Sequence, residues 1–254
     1  MSLLQVCNVS VRFGGLVAVD DISFSVRPGE VLSIIGPNGA GKTSLFNLIS
    51  RIYPPSTGRL LFGGEDFTAL APHKVAHLGI ARTFQNLELF DRATVLENLL
   101  VGRHRHRRCG FLAEAWFGRA VWQQELQSRR AAEDVIDFLD LHRCRDATVG
   151  SLPYGSRKLV ELGRALASQP RLLLLDEPSS GLNVEESRDL AFCIRDIQRV
   201  FGITVVLIEH DMSLVAHVSD RVLALNQGRV IAEGPMDEVQ RHPDVVEAYL
   251  GRHA

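Results

Sequence analysis

The run Gly36-Pro37-Asn38-Gly39-Ala40-Gly41-Lys42-Thr43 fits the pattern G-x-x-x-x-G-K-[ST]. It follows an apolar stretch that reads as a buried strand and opens a helical one, which is the context the pattern requires. Its glycines let the backbone curl until several N–H groups point at one centre, and a helix start adds partial positive charge there. Lys42 can then reach the β- and γ-phosphates of a nucleoside triphosphate, the Thr43 hydroxyl can ligate Mg2+, and Ser44 continues the same segment. A second set of groups closes the run Leu172-Leu173-Leu174-Leu175, where Asp176 and Glu177 stand side by side and Pro178 stops the strand. Ligands of open parallel sheets bind at the carboxyl ends of the strands, so Asp176 is expected beside the phosphate loop. Asp176 suits a water-mediated hold on Mg2+, and Glu177 suits the orientation and deprotonation of an attacking water.

These groups need rigid elements behind them. Val31-Leu32-Ser33-Ile34-Ile35, Arg171 to Leu175 and Ile203 to Ile208 are near-continuous apolar runs of the kind buried on both faces of a parallel sheet. A helix is expected over about Val184 to Val200, with Leu190, Ile194 and Ile197 on one face, and another over Ser44 to Arg51. Strand, helix, strand in that order argues for βαβ units. The first sixty residues read as short strands between turn signals such as Gly14-Gly15 and Pro28-Gly29, and the tail as two strands around Asn226-Gln227-Gly228 followed by a helix near Met236 to His242. From about Asn86 the character changes: the basic run Arg103-His104-Arg105-His106-Arg107-Arg108 precedes Trp116, Phe117 and Trp122 and then a helical stretch from Gln123 to Leu141. That shift suggests a mostly helical insertion.

Composition narrows the classes. The chain has 254 residues, 46% of them hydrophobic and 23% charged, which suits a folded globular protein. Its 28 basic and 30 acidic residues leave a formal net charge of −2, against binding of nucleic acid by bulk electrostatics. No apolar run approaches the ~20 residues of a membrane span. Met1 to Ser10 lacks a positive region followed by an apolar stretch, so no secretory leader is expected. Cys7, Cys109, Cys144 and Cys193 form no C-x-x-C pair and read as reduced thiols.

Further motifs complete a known order. Thr83-Phe84-Gln85, Leu152-Pro153-Tyr154-Gly155-Ser156, Ser180-Gly181-Leu182-Asn183 and Glu209-His210-Asp211 surround the acidic strand end, and with the phosphate loop the chain resembles the ATP-binding subunit of an ABC transporter from Leu3 to Gly251. The resemblance implies an α/β P-loop ATPase core with a mainly parallel sheet, an antiparallel β-subdomain near the N-terminus and an inserted α-helical subdomain. Within one ATPase domain it places the core at 1–85 and 158–225, the helical part at 86–157, and the C-terminal strands and helix at 226–254. Phe13 matches the aromatic on which the family stacks adenine. Gln85, at the end of a strand of about Ile80 to Phe84, carries an amide able to ligate Mg2+ or water; His210 can donate to the γ-phosphate and hold Glu177 and the water. Residues 152–156 match the signature that closes over ATP held by a second subunit, and Asn183 stands where many relatives carry aspartate. Pro153 replaces the usual signature serine and lacks its hydroxyl, yet proline suits a helix start; anion recognition is then expected from the Gly155 and Ser156 backbone.

The stretches 80–86, 94–100 and 243–251 resemble the branch that imports branched-chain and other hydrophobic amino acids. The lipopolysaccharide-exporter ATPase and urea or amide importers are near rivals. A soluble ABC ATPase acting on nucleic acid usually has two cassettes or a long coiled coil, and a kinase or GTPase explains neither 152–156 nor His210. The implied cofactors are ATP and Mg2+. The implied partners are a second ATP-binding subunit, two integral membrane permease subunits and, indirectly, an external solute-binding protein, with no nucleic acid. The implied place is the cytoplasmic side of a bacterial inner membrane, as a peripheral protein. The basic run 103–108 reads as a solvated face, a contact with anionic lipid headgroups or, least, a nucleic-acid contact. Trp116, Phe117 and Trp122 read as packing residues, and His73 and His77, four apart, as structural or solvated for want of a third ligand.

Overall fold

In the computed structural model, which describes residues 2–83, 87–106 and 118–250, every residue of three short apolar runs is buried, and all three are strands of one sheet. The chain begins with β1 (Leu4–Phe13), β2 (Leu16–Val26) and β3 (Val31–Ile35), then α1 (Lys42–Ile49), β4 (Thr57–Phe62), β5 (Glu65–Asp66), α2 (Pro72–Leu78) and β6 (Ile80–Arg82). Among the described residues the helices α3 (Val95–Gly102), α4 (Arg119–Phe138) and α5 (Tyr154–Ala167) follow. The last part is β7 (Leu172–Asp176), α6 (Val184–Phe201), β8 (Thr204–Ile208), α7 (Met212–Val218), β9 (Arg221–Asn226), β10 (Arg229–Gly234), α8 (Met236–Val239) and α9 (Pro243–Leu250).

Two compact units result, residues 1–82 with 171–254, and residues 83–170. In the first, a six-stranded sheet runs in the order β10-β9-β3-β8-β7-β6. The β3–β8, β3–β9, β7–β8 and β6–β7 pairs are parallel, and only β9–β10 is antiparallel. An antiparallel sheet in the order β2-β1-β4-β5 accompanies it. Alternation along β7 sends Leu172 and Leu174 into a core shared with Leu45, Phe46, Leu48 and Ile49 of α1 and with Leu4 and Val6 of β1. Helix α1 is thus held between the two sheets. A second cluster on the same unit joins Ile35, Val215, Val222, Ala224, Val239 and Val245, so α7, α8 and α9 pack where β3 and β9 end.

The sequence grouped β9's end and all beyond it as a tail, but β9 lies directly against β3 inside the main sheet. In the sheet β8 lies between β3 and β7, so the segment carrying His210 takes the middle place between those following β3 and β7. The helical unit spans 83–170 rather than 86–157, since α5 begins at Tyr154 and packs on α3 and α4. Helix α9 adds one that the apolar pattern of the tail did not single out.

In the helical unit, α3 opens on a capping box: Thr94 Oγ1 accepts from the Glu97 N–H at 3.2 Å while Glu97 accepts from the Thr94 N–H at 2.8 Å. The Thr94 N–H and the Thr94 hydroxyl, both donating to the Glu97 carboxylate, hold it below its ordinary range. At the other end of α3, Gly102 lies so close to α5 that a Cβ there would strike the Arg164 carbonyl oxygen. The basic run takes a different part from any expected of it. Arg103 is buried and donates to the Ala167 carbonyl at 2.9 Å, Arg105 donates to that of Gln169 at 2.8 Å, and His106 Nε2 lies 2.8 Å from that of Ser168. Residues 103–106 therefore close the C-terminal end of α5, where carbonyls lack helical partners and positive charge is favoured. Arg107, Arg108, Trp116 and Phe117 lie outside the described residues, and Trp122, expected to pack, is exposed on α4.

Candidate functional site

The phosphate loop hangs from the end of β3. Gly36 has φ 151°, and a Cβ there would be driven into the Leu225 carbonyl oxygen of β9. Gly36→Ala is accordingly expected to lose nucleotide binding and to unfold at lower denaturant concentration, by about 1–3 kcal/mol for the overpacking, read by urea titration. Gly41, at φ 101°, precedes α1 without a side-chain cap, and the helix has no acidic residue in its first turn. That leaves an N-terminus suited to an anion. Lys42 is buried, its Nζ donating to the carbonyls of Gly36 at 2.7 Å and Pro37 at 3.1 Å. The ammonium is thus folded onto its own loop, at the base of the curl whose crest is the exposed pair Asn38 and Gly39. Thr43 is exposed, Ser44 half-buried, and Ala40 buried with its N–H on the Pro37 carbonyl at 3.1 Å.

The same loop fixes the β1–β2 hairpin. Gly228 donates to the Ala40 carbonyl at 2.9 Å and accepts from the Asp20 N–H at 2.8 Å, tying β2 to the loop through the β9–β10 turn. Phe13, at the end of β1, is 43% exposed and meets the Tyr53 ring edge to face, centroids 5.0 Å apart. Tyr53 was not anticipated; a lone tyrosine after a helix carries no pattern of its own.

At the end of β7, Asp176 is 2% exposed. Its Oδ2 accepts from Arg82 at 2.8 Å, and its Oδ1 has no hydrogen-bond partner among the described residues. A buried polar oxygen left without a hydrogen bond is costly, and a carboxyl with one oxygen to spare fits a hydrated divalent cation. Glu177 follows in the left-handed region at φ 48°, an uncommon place for a side-chain-bearing residue, and is held there by donating to the Ile208 carbonyl of β8 at 2.9 Å. Beyond β8, Glu209 is fully buried. Its carboxylate accepts from the Ser179 N–H at 2.9 Å and from those of His210 and Asp211 at 3.0 and 3.3 Å, so it joins the turn after β7 to the turn after β8. His210 itself is exposed. The structure thus brings Lys42, Thr43, Asp176, Glu177 and His210 to the same end of one sheet; Gln85 lies outside the described residues. Glu209, quoted only as part of its motif, and Arg82 were given no role of their own from sequence; Glu209 closes a visible apolar run, whereas Arg82 falls inside the expected strand and carries no such signal.

On the helical unit, Pro153 flanks the start of α5, which begins at Tyr154, with ψ 155°. The first turn has neither a side-chain cap nor an acidic residue. Pro153 and Tyr154 are exposed, Leu152, Gly155 and Ser156 half-buried, and Lys158 Nζ lies 5.8 Å from the centre of the Tyr154 ring. Asn183, on the other unit, caps α6 by accepting from the N–H groups of Glu185 and Glu186, both at 2.9 Å. His73 and His77 are exposed on α2, and no group of three or more metal-ligating side chains exists among the described residues. No helix among them is long and apolar enough to cross a membrane.

Known proteins share this layout. Residues 19–180 match the family described as ABC transporter, and residues 229–254 match that described as branched-chain amino acid ATP-binding cassette transporter. The chain is 40% identical to the high-affinity branched-chain amino acid transport ATP-binding protein BraF of Pseudomonas aeruginosa, over 98% of each chain. It is 36% identical to the corresponding protein LivG of Escherichia coli, also over 98% of each. A nucleotide-free ATP-binding cassette of an ABC transporter superposes with a TM-score of 0.86 at 34% identity, covering 99% of this chain and all of that one. An ADP-bound cassette gives the same score and identity. With a family match across most of its length and relatives this similar from end to end, the chain belongs to the ATP-binding subunits of ABC transporters.

Proposed function

We propose that this chain binds and hydrolyses ATP between two copies of such subunits to drive import of branched-chain or other hydrophobic amino acids. The observation that carries the reading is the convergence at one sheet end of a buried Lys42, an open α1 N-terminus and the Asp176–Glu177 pair. Adenine stacks on Phe13; the phosphates lie on the backbone of residues 36–44, with Lys42 turning from its loop carbonyls to the β- and γ-phosphates. Thr43, Asp176 and Gln85 are the residues to hold Mg2+, which when bound offsets the charge of the β- and γ-phosphate oxygens. Glu177 takes a proton from the attacking water, while His210 donates to the γ-phosphate and keeps the water and Glu177 aligned. Residues 152–156 and Asn183 of the second subunit complete the site, Gly155 and Ser156 offering backbone N–H groups where Pro153 has no hydroxyl to give. Loss of the γ-phosphate removes that contact and lets the pair reopen, turning hydrolysis into motion.

Two integral membrane permease subunits would receive that motion, with an external solute-binding protein delivering cargo and this chain peripheral on the cytoplasmic face of the inner membrane. The amino-acid reading is supported by the names of the relatives and by the match of residues 229–254. It is tested by co-purifying the chain with its membrane subunits and measuring which solute stimulates ATP turnover. Stimulation by leucine, isoleucine or valine with their binding protein is expected; stimulation by a lipid alone would replace import with export.

A further inference from the structure

Arg82 ends β6 and spends its guanidinium on two neighbouring elements, β7 and α1. One nitrogen donates to Asp176 Oδ2 on β7 at 2.8 Å. The other reaches Asn47 Oδ1 at 2.7 Å and Ser50 Oγ at 3.2 Å, both on the α1 side. The guanidinium carbon lies 5.5 Å from the centre of the Phe46 ring, also on α1. The pair is interior, with side chains 8% and 2% exposed. Both elements carry residues assigned to the metal: α1 starts at Lys42-Thr43 and β7 ends at Asp176. A buried carboxylate needs a partner of opposite charge and full hydrogen bonding. Arg82 supplies both on one oxygen only, leaving Oδ1 bare.

We infer that Arg82 is a positioning residue for the divalent-metal site, fixing Asp176 through Oδ2 so that Oδ1 is offered to the metal's water shell. It also locks β7 to α1, and so the Asp176 position to that of Thr43. The inference rests on the metal-site reading above. Groups that orient metal ligands are commonly worth 10–100-fold in metal affinity, and an isolated lysine could not imitate this fork, because a guanidinium presents its donors in a fixed plane.

The test titrates Mn2+ by electron paramagnetic resonance into full-length chain with ATP, in a Glu177→Gln background that prevents turnover. ATP binding in EDTA and thermal unfolding are measured alongside. Arg82→Met is expected to weaken Mn2+ about 10-fold or more while metal-free ATP affinity stays within about twofold; Arg82→Lys should recover only part of the loss. Asp176→Asn should weaken Mn2+ at least as much. A merely structural role would lower the unfolding temperature and leave Mn2+ affinity of the folded protein intact, which overturns the inference. If Asp176→Asn weakens Mn2+ and Arg82→Met does not, only the inference on Arg82 fails; if Asp176→Asn has no effect, the metal-site reading fails with it. Should Arg82→Met not fold, Asn47→Ala and Arg82→Lys decide: weaker Mn2+ in both supports the assignment, and unchanged Mn2+ in both contradicts it.

Discussion

Glu177→Gln should bind ATP as the parent chain does, hydrolyse it on the order of 10²–10⁴-fold more slowly, the usual worth of a general base, and accumulate as a dimer on gel filtration with ATP. The side chain keeps its shape but loses its negative charge and with it the ability to accept a proton. Its backbone is fixed independently, by the N–H bond to the Ile208 carbonyl and by the left-handed conformation at φ 48°, so the turn after β7 should survive the change. With the γ-phosphate intact, the contact that closes two subunits is never removed. A variant that binds ATP, does not hydrolyse it and stays monomeric would separate the chemistry from the proposed clamp and count against the latter.

Lys42→Ala acts one step earlier. The ammonium is buried against the Gly36 and Pro37 carbonyls, so it is poised at the loop rather than drawn from solvent, and little ordering cost remains when phosphate arrives. A charge-assisted hydrogen bond is worth about 1.5–3 kcal/mol, so ATP affinity should fall roughly 10- to 100-fold, measured by calorimetry. The loop itself should persist, because Ala40 and Gly228 hold it through backbone bonds. Undiminished ATP affinity in this variant would remove Lys42 from the phosphate site.

The parts of the fold carried by strong local patterns were legible in the sequence. Val31–Ile35, Leu172–Asp176 and Thr204–Ile208 announced themselves as doubly buried strands, and the glycine pattern placed the loop and the helix after it. What was not legible depends on contacts distant in sequence. Strand order is one such case: nothing in residues 204–208 says that they separate β3 from β7. The basic run is another, since charge composition gives no hint that Arg103 and Arg105 turn inward to the carbonyls ending α5, more than sixty positions on. Around the motif residues the supports were not legible: Tyr53, Arg82 and Glu209 act through partners that only the folded chain assembles.

The claim on which the rest depends is that each ATP is shared by two chains, with Lys42 from one and residues 152–156 from the other. Mixing two inactive variants tests it most directly. Lys42→Ala retains the signature and Gly155→Glu retains the phosphate loop, so a mixed dimer holds one whole composite site while either variant alone holds none. Mixing equal amounts should restore ATP turnover well above the sum of the separate preparations. If the mixture forms dimers yet stays as inactive as its components, hydrolysis does not take place between chains and the account is wrong at its centre.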